Sequence, residues 1–462
     1  MEFPQHMVDV VEECKISPPL GSVPCTTLPF TAFDLNLLML PPVQRLFFYE
    51  FHQSKAHFMD TIFPNIKHSL SLTLQHFFPL AGNMIWTQES TIPEFFYKDG
   101  DGVSLTLAES TYDFDLLSSN QQRDASMFVP LIPKFSATSS EGVVPLLALQ
   151  VTFFPNKGIC IGVAIKHVVA DGRTTTHFIK SWSSICRLEG DTSLISNSLP
   201  SHDRSTVKHV KPKRITTNII LMEKLGVTRD TFHQIINKRD AHNTVPVGKV
   251  RATFVMLSSD VTKLKQWVLS KEREILHLSS LVVTCAYVWV CLIKARRSAS
   301  GETDVSANDE ATEYFLVPAD ARARLKPPLP ITYFGNCLDS AVATCKRSEL
   351  IGEDGIAFAA ELISKAIKKM DINDETQEKS LSFYISLPRE HFSAVSSSPR
   401  FAVYETDYGW GKPKKVEFVS GESVSLSECP SVEGGLEIGV VRNKIEMDSF
   451  SSLFANTLAT LS

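Results

Sequence analysis

Apolar and polar or small residues alternate through residues 159–167, and this pattern predicts a half-buried β-strand. The apolar positions fall at every second residue: Ile159, Ile161, Val163 and Ile165. We expect the strand to end at His167. A histidine at the end of a strand and before a turn is well placed to face a cleft.

A turn and an amphipathic helix are predicted directly after this strand. Asp171-Gly172 is a turn signal. Apolar residues then recur at helical spacing from a start near Thr174: Phe178, Ile179, Trp182 and Ile185. Of the 13 histidines in the chain, only His167 is followed by an aspartate four residues later. The HxxxD pair is therefore not a by-product of a His-rich composition.

The same periodicities along the rest of the chain predict an α/β protein. Further strands are expected at 103–108, 145–154, 249–257, 314–318, 416–419 and 436–441. Further helices are expected at 65–78, 259–272, 279–294, 355–370 and from 447 onward.

A polar stretch at 189–248 divides the pattern into two halves. Its apolar density is low and Ser, Asp, His, Lys and Arg accumulate, as in a long connection between domains. A chain of 462 residues is also too long for one ordinary core. We therefore predict one domain at 1–188, a linker at 189–248 and a second domain at 249–462.

Charge, apolar runs and cysteine spacing limit the kinds of binding partner and the cellular compartment that we expect for this chain. The net charge of −5 gives no reason to expect nucleic acid or an anionic membrane surface. The N-terminus has neither a basic nor an apolar leader region, and no apolar run approaches the roughly 20 residues of a spanning helix. The nine cysteines are scattered without a CxxC pair, so neither a disulfide framework nor a zinc site is predicted. These features favour a cytosolic protein with reduced thiols.

The HxxxD pair allows several kinds of chemistry. His167 could be a general base for an alcohol, because the ordinary pKa of histidine is near neutral, or it could be a histidine without a catalytic role. A serine hydrolase lacks the GxSxG elbow, and a zinc site lacks HExxH and a third ligand. Asp171 could orient the imidazole or pair with an arginine, for which the arginine-rich stretch at 319–324 is the best candidate.

Two other runs are too specific for simple connections. The run PPLPITYFGNC at 327–337 combines prolines, aromatics and a glycine, which predicts a rigid loop. The run DYGWG at 407–411 is an aromatic and glycine-rich turn followed by three lysines. Both could be tight turns with aromatic anchors, and the lysines could attract a phosphate-bearing ligand or form a solvated basic edge.

Taken in order, these runs resemble the plant BAHD acyltransferases. HVVAD at 167–171 is similar to the family's HxxxD, and DYGWG is similar to its DFGWG, with Tyr408 in place of phenylalanine. The run at 327–337 resembles the branch that acylates anthocyanins and other phenolic glucosides. LPFTAFD at 28–34, the stretch at 63–82 and VVTCAYVW at 282–289 extend the resemblance over nearly the whole chain.

The resemblance implies two chloramphenicol-acetyltransferase-like α/β domains of similar topology, joined by a long crossover loop, in a monomer. An active-site channel lies at the interface, and a segment near 380–405 packs with the N-terminal domain. His167 is implied as the general base, whereas Asp171 is implied to pair with Arg322 and hold the loop. Asp407, Gly409, Trp410 and Gly411 of the DFGWG-like run are implied to support the structure rather than the chemistry.

The implied reaction needs no bound cofactor or metal, with acyl-CoA as co-substrate. His167 would deprotonate a sugar hydroxyl, which attacks the thioester in a ternary complex. Ser396 could supply the oxyanion hydroxyl, but the tryptophan suspected of helping in related enzymes is missing from 394–401. The branch includes malonyl and hydroxycinnamoyl users. An N-acyltransferase and a non-catalytic protein that binds a phenolic ligand or CoA are the alternatives.

The anionic co-substrate requires local cations and donors. Ser279 and Ser280 open a predicted helix whose N-terminus could receive phosphate oxygens, although they could equally be N-caps. The lysine candidates for CoA are Lys263, Lys265 and Lys412. A malonyl carboxylate would need a cation partner, and Arg173 is the nearest in sequence. A basic residue after the DG turn with a following ThrThrThr resembles the malonylating members of the branch, so we expect malonyl-CoA as donor.

Overall fold

The architecture comes from a computed structural model of the chain. It describes residues 7–135, 143–207, 210–241, 247–271, 273–275, 277–301, 307–371 and 381–460.

The described residues alternate between strands and helices. The strands are β1 (Val8–Ile16), β2 (Thr26–Pro29), β3 (Val43–Glu50), β4 (Asn83–Ile85), β5 (Glu94–Tyr97), β6 (Val103–Ser110), β7 (Arg123–Asp124), β8 (Val144–Pro145), β9 (Leu147–Phe154), β10 (Gly158–Ile165), β11 (Val250–Met256), β12 (Thr312–Asp320), β13 (Leu338–Lys346), β14 (Phe392–Ala394), β15 (Lys415–Phe418), β16 (Ser425–Glu428) and β17 (Leu436–Arg442). The helices are α1 (Ala32–Leu35), α2 (Lys55–His57), α3 (Phe63–His76), α4 (Phe114–Leu117), α5 (Gly172–Arg187), α6 (Pro212–Lys224), α7 (Phe232–Ala241), α8 (Ser258–Leu269), α9 (Ser280–Ala299), α10 (Arg347–Ile351), α11 (Gly355–Lys368), α12 (Leu381–Ser386) and α13 (Lys444–Thr460).

The strand that leads to His167 lies inside a six-stranded sheet of order β1-β6-β9-β10-β3-β15. Every residue of β10 is buried, so the expectation of a half-buried strand is wrong. The face between the large apolar residues is made of small ones, and the chain near residue 131 covers it. A Cβ added at Gly162 would lie 2.4 Å from the Leu131 carbonyl oxygen. Alternation here separates large from small residues rather than buried from exposed ones.

The two halves of the chain exchange edge strands. In the second half, β16-β17-β11-β7 and β13-β12-β14 form two sheets, which an isolated bridge between Val395 and Val424 connects. β7 comes from the first half and pairs with β11, whereas β15 comes from the second half and pairs with β3. Each half therefore closes one sheet edge with a strand from the other half.

Buried charges fix this exchange. Glu417 on β15 accepts a hydrogen bond from Arg123 on β7 at 2.8 Å and lies 3.6 Å from Arg251 on β11. All three side chains are almost fully enclosed. Because a buried charge is stable only when it is paired, this triad ties the donated strands to both sheets.

Two hydrophobic cores correspond to the two halves. The first includes α3, α5 and the large face of β10, and the second includes α9, α11 and α13. The 189–248 segment, predicted as a polar connection, contains α6 and α7, and its apolar residues pack into the first core: Met222, Val227, Phe232 and Ile236. The domain limits at 188 and 249 remain a prediction.

The segment near 380–405 divides between the two cores. β14 pairs with β12, and Val395 belongs to the second core. Val403 and Tyr404 belong to the first core. The later part of this segment therefore packs with the N-terminal half, and α12 at its start lies against α6.

Several element ends differ from the sequence expectations. β10 ends at Ile165, two residues before His167. α5 begins at Gly172 rather than near Thr174, because the side chain of Asp171 accepts a hydrogen bond from the Thr174 N–H and caps the helix. The sequence patterns also missed β3, whose buried run RLFFY does not alternate.

Candidate active site

His167 lies in the turn between β10 and α5 and is partly exposed. Its Nδ1 is buried and makes no hydrogen bond that meets standard geometry. This leaves Nε2 as the nitrogen that can meet a substrate. Burial lowers the pKa of His167 below its usual value, and the neighbouring Arg45 lowers it further. The His167 backbone, Asp171 and Asn336 each raise this pKa, but they do not outweigh burial. The imidazole is therefore neutral at physiological pH, as a general base must be.

Asp171 holds this turn from the other side. Its Oδ1 accepts a hydrogen bond from the Thr174 N–H at 2.9 Å, and its Oδ2 accepts one from the Cys337 N–H at 3.1 Å. Arg322 Nη1 lies 2.8 Å from the same Oδ2, and both side chains are buried. The Asp171 carboxylate therefore binds the N-terminus of α5, Arg322 and the Cys337 N–H of the second half of the chain.

The run 333–337 wraps around this ion pair. Arg322 Nη2 donates to the Tyr333 carbonyl at 3.2 Å and to the Gly335 carbonyl at 3.0 Å. Gly335 has φ +133°, which side-chain-bearing residues rarely adopt. Its carbonyl also accepts a hydrogen bond from Thr174 Oγ1 at 3.0 Å. The rigid loop predicted from the prolines therefore closes on the start of α5.

Asn336 contacts the imidazole from this loop. Its Nδ2 donates to the Val168 carbonyl at 2.6 Å and to Asp34 Oδ1 at 3.0 Å. Arg204 Nη1 in turn lies 2.7 Å from Asp34 Oδ2. Asn336 Oδ1 is buried without a hydrogen-bond partner, and the amide raises the pKa of His167, against the effect of burial. The sequence analysis quoted Asn336 within the YFGNC run without giving it a role.

Arg45 is a second residue that the sequence patterns missed. It lies on β3, opposite Phe418 of β15, and is 2% exposed. Its Nη1 donates to Thr176 Oγ1 at 3.0 Å, and its Nε is buried without a partner. Burial lowers the pKa of Arg45 to about 10, and Asp171 opposes this shift. No local pattern could have found it, because its neighbours come from β15 and α5.

Arg173 lies beside the site but already has a partner. Its Nε is 2.5 Å from Asp320 Oδ2, and both side chains are about one-third exposed. Asp320 also pairs with Arg322 at 3.1 Å. To receive a malonyl carboxylate, Arg173 would have to leave Asp320.

The remaining predicted ligands are not in contact with His167 among the described residues. Ser279 caps α9 by accepting from the Val282 N–H at 3.2 Å, and Lys265 donates to Ser280 Oγ at 3.1 Å. Lys263 is exposed on α8. Three predicted CoA residues thus cluster at one helix N-terminus.

Two further predicted residues have other partners. Lys412 pairs with Glu405 at 3.0 Å on the surface. Ser396 is exposed, and its hydroxyl donates to the Val424 carbonyl at 3.3 Å. Both groups would have to change partners to contact a ligand.

The DYGWG loop forms an aromatic cluster. Asp407 Oδ1 accepts hydrogen bonds from the N–H groups of Gly409 at 2.8 Å and Gly411 at 3.0 Å. Both glycines have positive φ, at +110° and +104°. The rings of Tyr408 and Trp410 stack 5.5 Å apart, and Tyr408 meets Trp182 of α5 edge-on at 5.1 Å. The loop thereby packs on the helix that follows His167.

Within the described residues, no cluster of His, Cys, Asp or Glu has the arrangement of a metal site. None of the described helices combines the length and apolar character that crossing a membrane requires. All nine cysteines are free thiols, and seven of them are buried.

The chain matches known proteins over almost its full length. A family model described as "Transferase family" matches residues 6–457. A malonyl-coenzyme A:anthocyanin 3-O-glucoside-6''-O-malonyltransferase from Dahlia pinnata is 37% identical and covers 97% of both chains. A coumaroyl-CoA:anthocyanidin 3-O-glucoside-6''-O-coumaroyltransferase from Arabidopsis thaliana is also 37% identical and covers 96% of both chains.

The fold has solved counterparts as well. The crystal structure of vinorine synthase superposes with a TM-score of 0.65 at 21% identity and covers 96% of both chains. This likeness confirms the predicted fold class, a two-domain α/β architecture. With the family match and the HVVAD and DYGWG runs, it leads to one conclusion: the chain belongs to the BAHD acyltransferases, the transferase family that its sequence motifs indicated.

Proposed function

We propose that this protein is an acyl-CoA-dependent O-acyltransferase that moves a malonyl group from CoA to a sugar hydroxyl of an anthocyanin or another phenolic glucoside. The observation that carries this proposal is His167, a partly exposed and neutral imidazole where the two halves of the chain meet. The names of the related malonyltransferases support the choice of substrates.

The reaction follows from the imidazole. His167 Nε2 takes the proton of the sugar hydroxyl while its oxygen attacks the thioester carbonyl carbon. The tetrahedral intermediate collapses, the carbon–sulfur bond breaks, and the imidazolium returns the proton to the CoA thiolate. No acyl-enzyme forms, because the chain's contribution is a base and a positioned acceptor.

The other site residues have supporting roles in this proposal. Asp171 and Arg322 position the turn, and the DYGWG loop supports α5. The α9 N-terminus, with Ser279, Ser280, Lys263 and Lys265, receives CoA phosphates. Ser396 and Lys412 would join the site only after leaving their present partners.

A hydroxycinnamoyl donor is the second candidate. The coumaroyltransferase is as similar to this chain as the Dahlia malonyltransferase is, so overall identity does not separate the two donors. The choice depends on whether the acyl site offers a cation or only apolar surface to the end of the acyl group.

Product mass spectrometry with malonyl-CoA, coumaroyl-CoA and acetyl-CoA against a panel of phenolic glucosides tests the proposal. Wild-type protein should give an O-acylated glucoside with malonyl-CoA, and His167→Ala should give none while retaining its thermal unfolding midpoint. His57→Ala, which alters an exposed histidine, is the matched control and should keep full turnover. Unchanged turnover by His167→Ala would remove the imidazole from the reaction.

We also propose that the protein acts as a monomer in the cytosol, with domains at 1–188 and 249–462. The free thiols suit a reducing compartment. Light scattering coupled to gel filtration tests the first point, and imaging of a fluorescent fusion tests the second.

A further inference from the structure

Arg45 is a buried cation without a direct ion pair, and Asp171 favours its charged form only from a longer distance. No carboxylate of the described residues lies within ion-pair distance of its guanidinium, and its one hydrogen bond goes to a neutral hydroxyl, Thr176 Oγ1. Two other buried arginines have close carboxylates: Arg123 lies 2.8 Å from Glu417 and Arg204 lies 2.7 Å from Asp34. An unpaired buried charge is strongly unfavourable, so its retention points to a ligand that supplies the missing anion.

One edge of the guanidinium is available to such an anion. Nη1 is engaged by Thr176 and Nε is enclosed, whereas Nη2 neither makes a hydrogen bond nor belongs to the fully enclosed atoms. A Cβ added at Gly172 would lie 3.6 Å from Nη2. A side chain at the first residue of α5 would therefore crowd Nη2 and clash with the Phe401 ring, which packs against Gly172.

The surroundings strengthen an interaction with an anion. The ring centroids of Phe418 and Phe401 lie 4.8 Å and 6.0 Å from the guanidinium carbon. Apolar walls exclude water, and a charge-assisted hydrogen bond is stronger where water is excluded. Phe401 also borders Gly172, where a Cβ would meet its ring at 2.7 Å. Phe401, Phe418 and Gly172 thus surround the Arg45 guanidinium at the start of α5, and we call this region the aromatic slot.

The slot is close to the base. Gly172 lies five residues after His167 in the same turn, and the positive charge of Arg45 acts on the imidazole. In malonyl-CoA a single methylene separates the carboxylate from the thioester carbonyl. Because the carbonyl carbon must meet the hydroxyl held by His167, the cation that receives the carboxylate must also lie near the base.

We propose that Arg45, through Nη2, binds the carboxylate of the malonyl group and selects the anionic acyl donor. This inference rests on the proposed function and assigns its acyl-recognition residue. Thr176 positions the guanidinium, and Phe401 and Phe418 form the walls of the subsite. Arg173 is a weaker alternative, because it is more exposed and Asp320 already neutralises it.

Binding of malonyl-CoA and acetyl-CoA to the inactive His167→Ala protein tests this assignment without an acceptor. Adding Arg45→Met should weaken the binding of malonyl-CoA by about ten- to a hundredfold, because a charge-assisted pair is lost. The binding of acetyl-CoA should weaken by less than about threefold. Adding Arg173→Ala instead is the matched control and should leave the ratio of the two affinities unchanged. Equal losses for both ligands with Arg45→Met, or a selective loss with Arg173→Ala, would overturn the proposal.

Two milder variants keep the test decisive if Arg45→Met does not fold. Arg45→Lys retains the charge but loses the planar fork, and Thr176→Val releases the guanidinium. Each should lower the preference for malonyl-CoA over acetyl-CoA by about three- to tenfold, and an unchanged preference in both would refute the assignment. A wild-type protein that acylates glucosides only with coumaroyl-CoA would contradict the malonyl part of the proposed function. Malonyl transfer that is insensitive to Arg45 would refute this inference alone.

Discussion

Arg322 Nη1 lies 2.8 Å from Asp171 Oδ2, and this buried ion pair joins the turn of His167 to the second half of the chain. The aspartate of the HxxxD motif therefore has a structural role and holds the turn in place. The pair also explains why the start of α5 and the run 333–337 are in contact, since Arg322 donates to two carbonyls of that run.

Replacing Asp171 with alanine should destabilise the protein and lower its activity. The change leaves Arg322 buried without its main partner and removes the cap of α5, which together should cost about 3–5 kcal/mol of unfolding free energy. Lys412→Ala breaks the exposed pair with Glu405 and should cost at most about 1 kcal/mol. Urea unfolding of both variants measures the difference. An activity loss in Asp171→Ala without any loss of stability would instead indicate a direct catalytic role.

The pH dependence of turnover should report the lowered pKa of His167. Burial and the charge of Arg45 stabilise the neutral imidazole, so the acid limb of kcat/KM should lie below the usual 6.5. Arg45→Met removes a positive charge and should move this limb to higher pH. Acetyl-CoA is the donor for this experiment, so that carboxylate binding does not contribute. A wild-type limb at or above the usual value would contradict the prediction.

Glu417 should be a large contributor to stability that is lost in acid. Arg123, Lys415 and Arg251 lower its pKa below the usual 4.5, against the effect of burial. A carboxylate with a depressed folded-state pKa stabilises the fold above its unfolded pKa, and this stability is lost as pH falls through the folded value. Glu417→Gln should therefore cost about 3–5 kcal/mol near neutral pH, and its difference from wild type should shrink below about pH 4.

The exposed Glu405→Gln is the control for this experiment and should change stability little at either pH. Equal unfolding free energies for wild type and Glu417→Gln at neutral pH would contradict the structural role of the triad.

Tyr408→Phe should stabilise the protein. The Tyr408 hydroxyl is buried without a hydrogen-bond partner, whereas the ring keeps all its stacking contacts in phenylalanine. Removing an unsatisfied buried hydroxyl should raise the unfolding free energy by about 1 kcal/mol. Tyr49→Phe is the matched control, because the Tyr49 hydroxyl bonds to Thr406 Oγ1 at 3.0 Å, and it should destabilise by a similar amount. A lower thermal midpoint for Tyr408→Phe would contradict this prediction.

Local sequence predicted the elements around the base but not their surroundings. The strand before His167 and the helix after it follow from periodicity, and their ends moved by two residues. Periodicity did not reveal that both faces of β10 are buried, because burial of the small face depends on a distant segment near Leu131. The sequence patterns missed β3 for the same reason, because a strand that is covered on both faces need not alternate between apolar and polar residues.

The sequence by itself determined the family, the α/β class, the candidate base and the arginine nominated for Asp171. These features depend on short motifs and local spacing, which one chain displays without folding. Only the tertiary structure decided which strands the halves exchange, that Arg173 pairs with Asp320, and that Arg45 is buried near His167 without a direct ion pair. Charge pairing and two-sided burial depend on distances between residues remote in sequence, and those distances exist only in the folded chain.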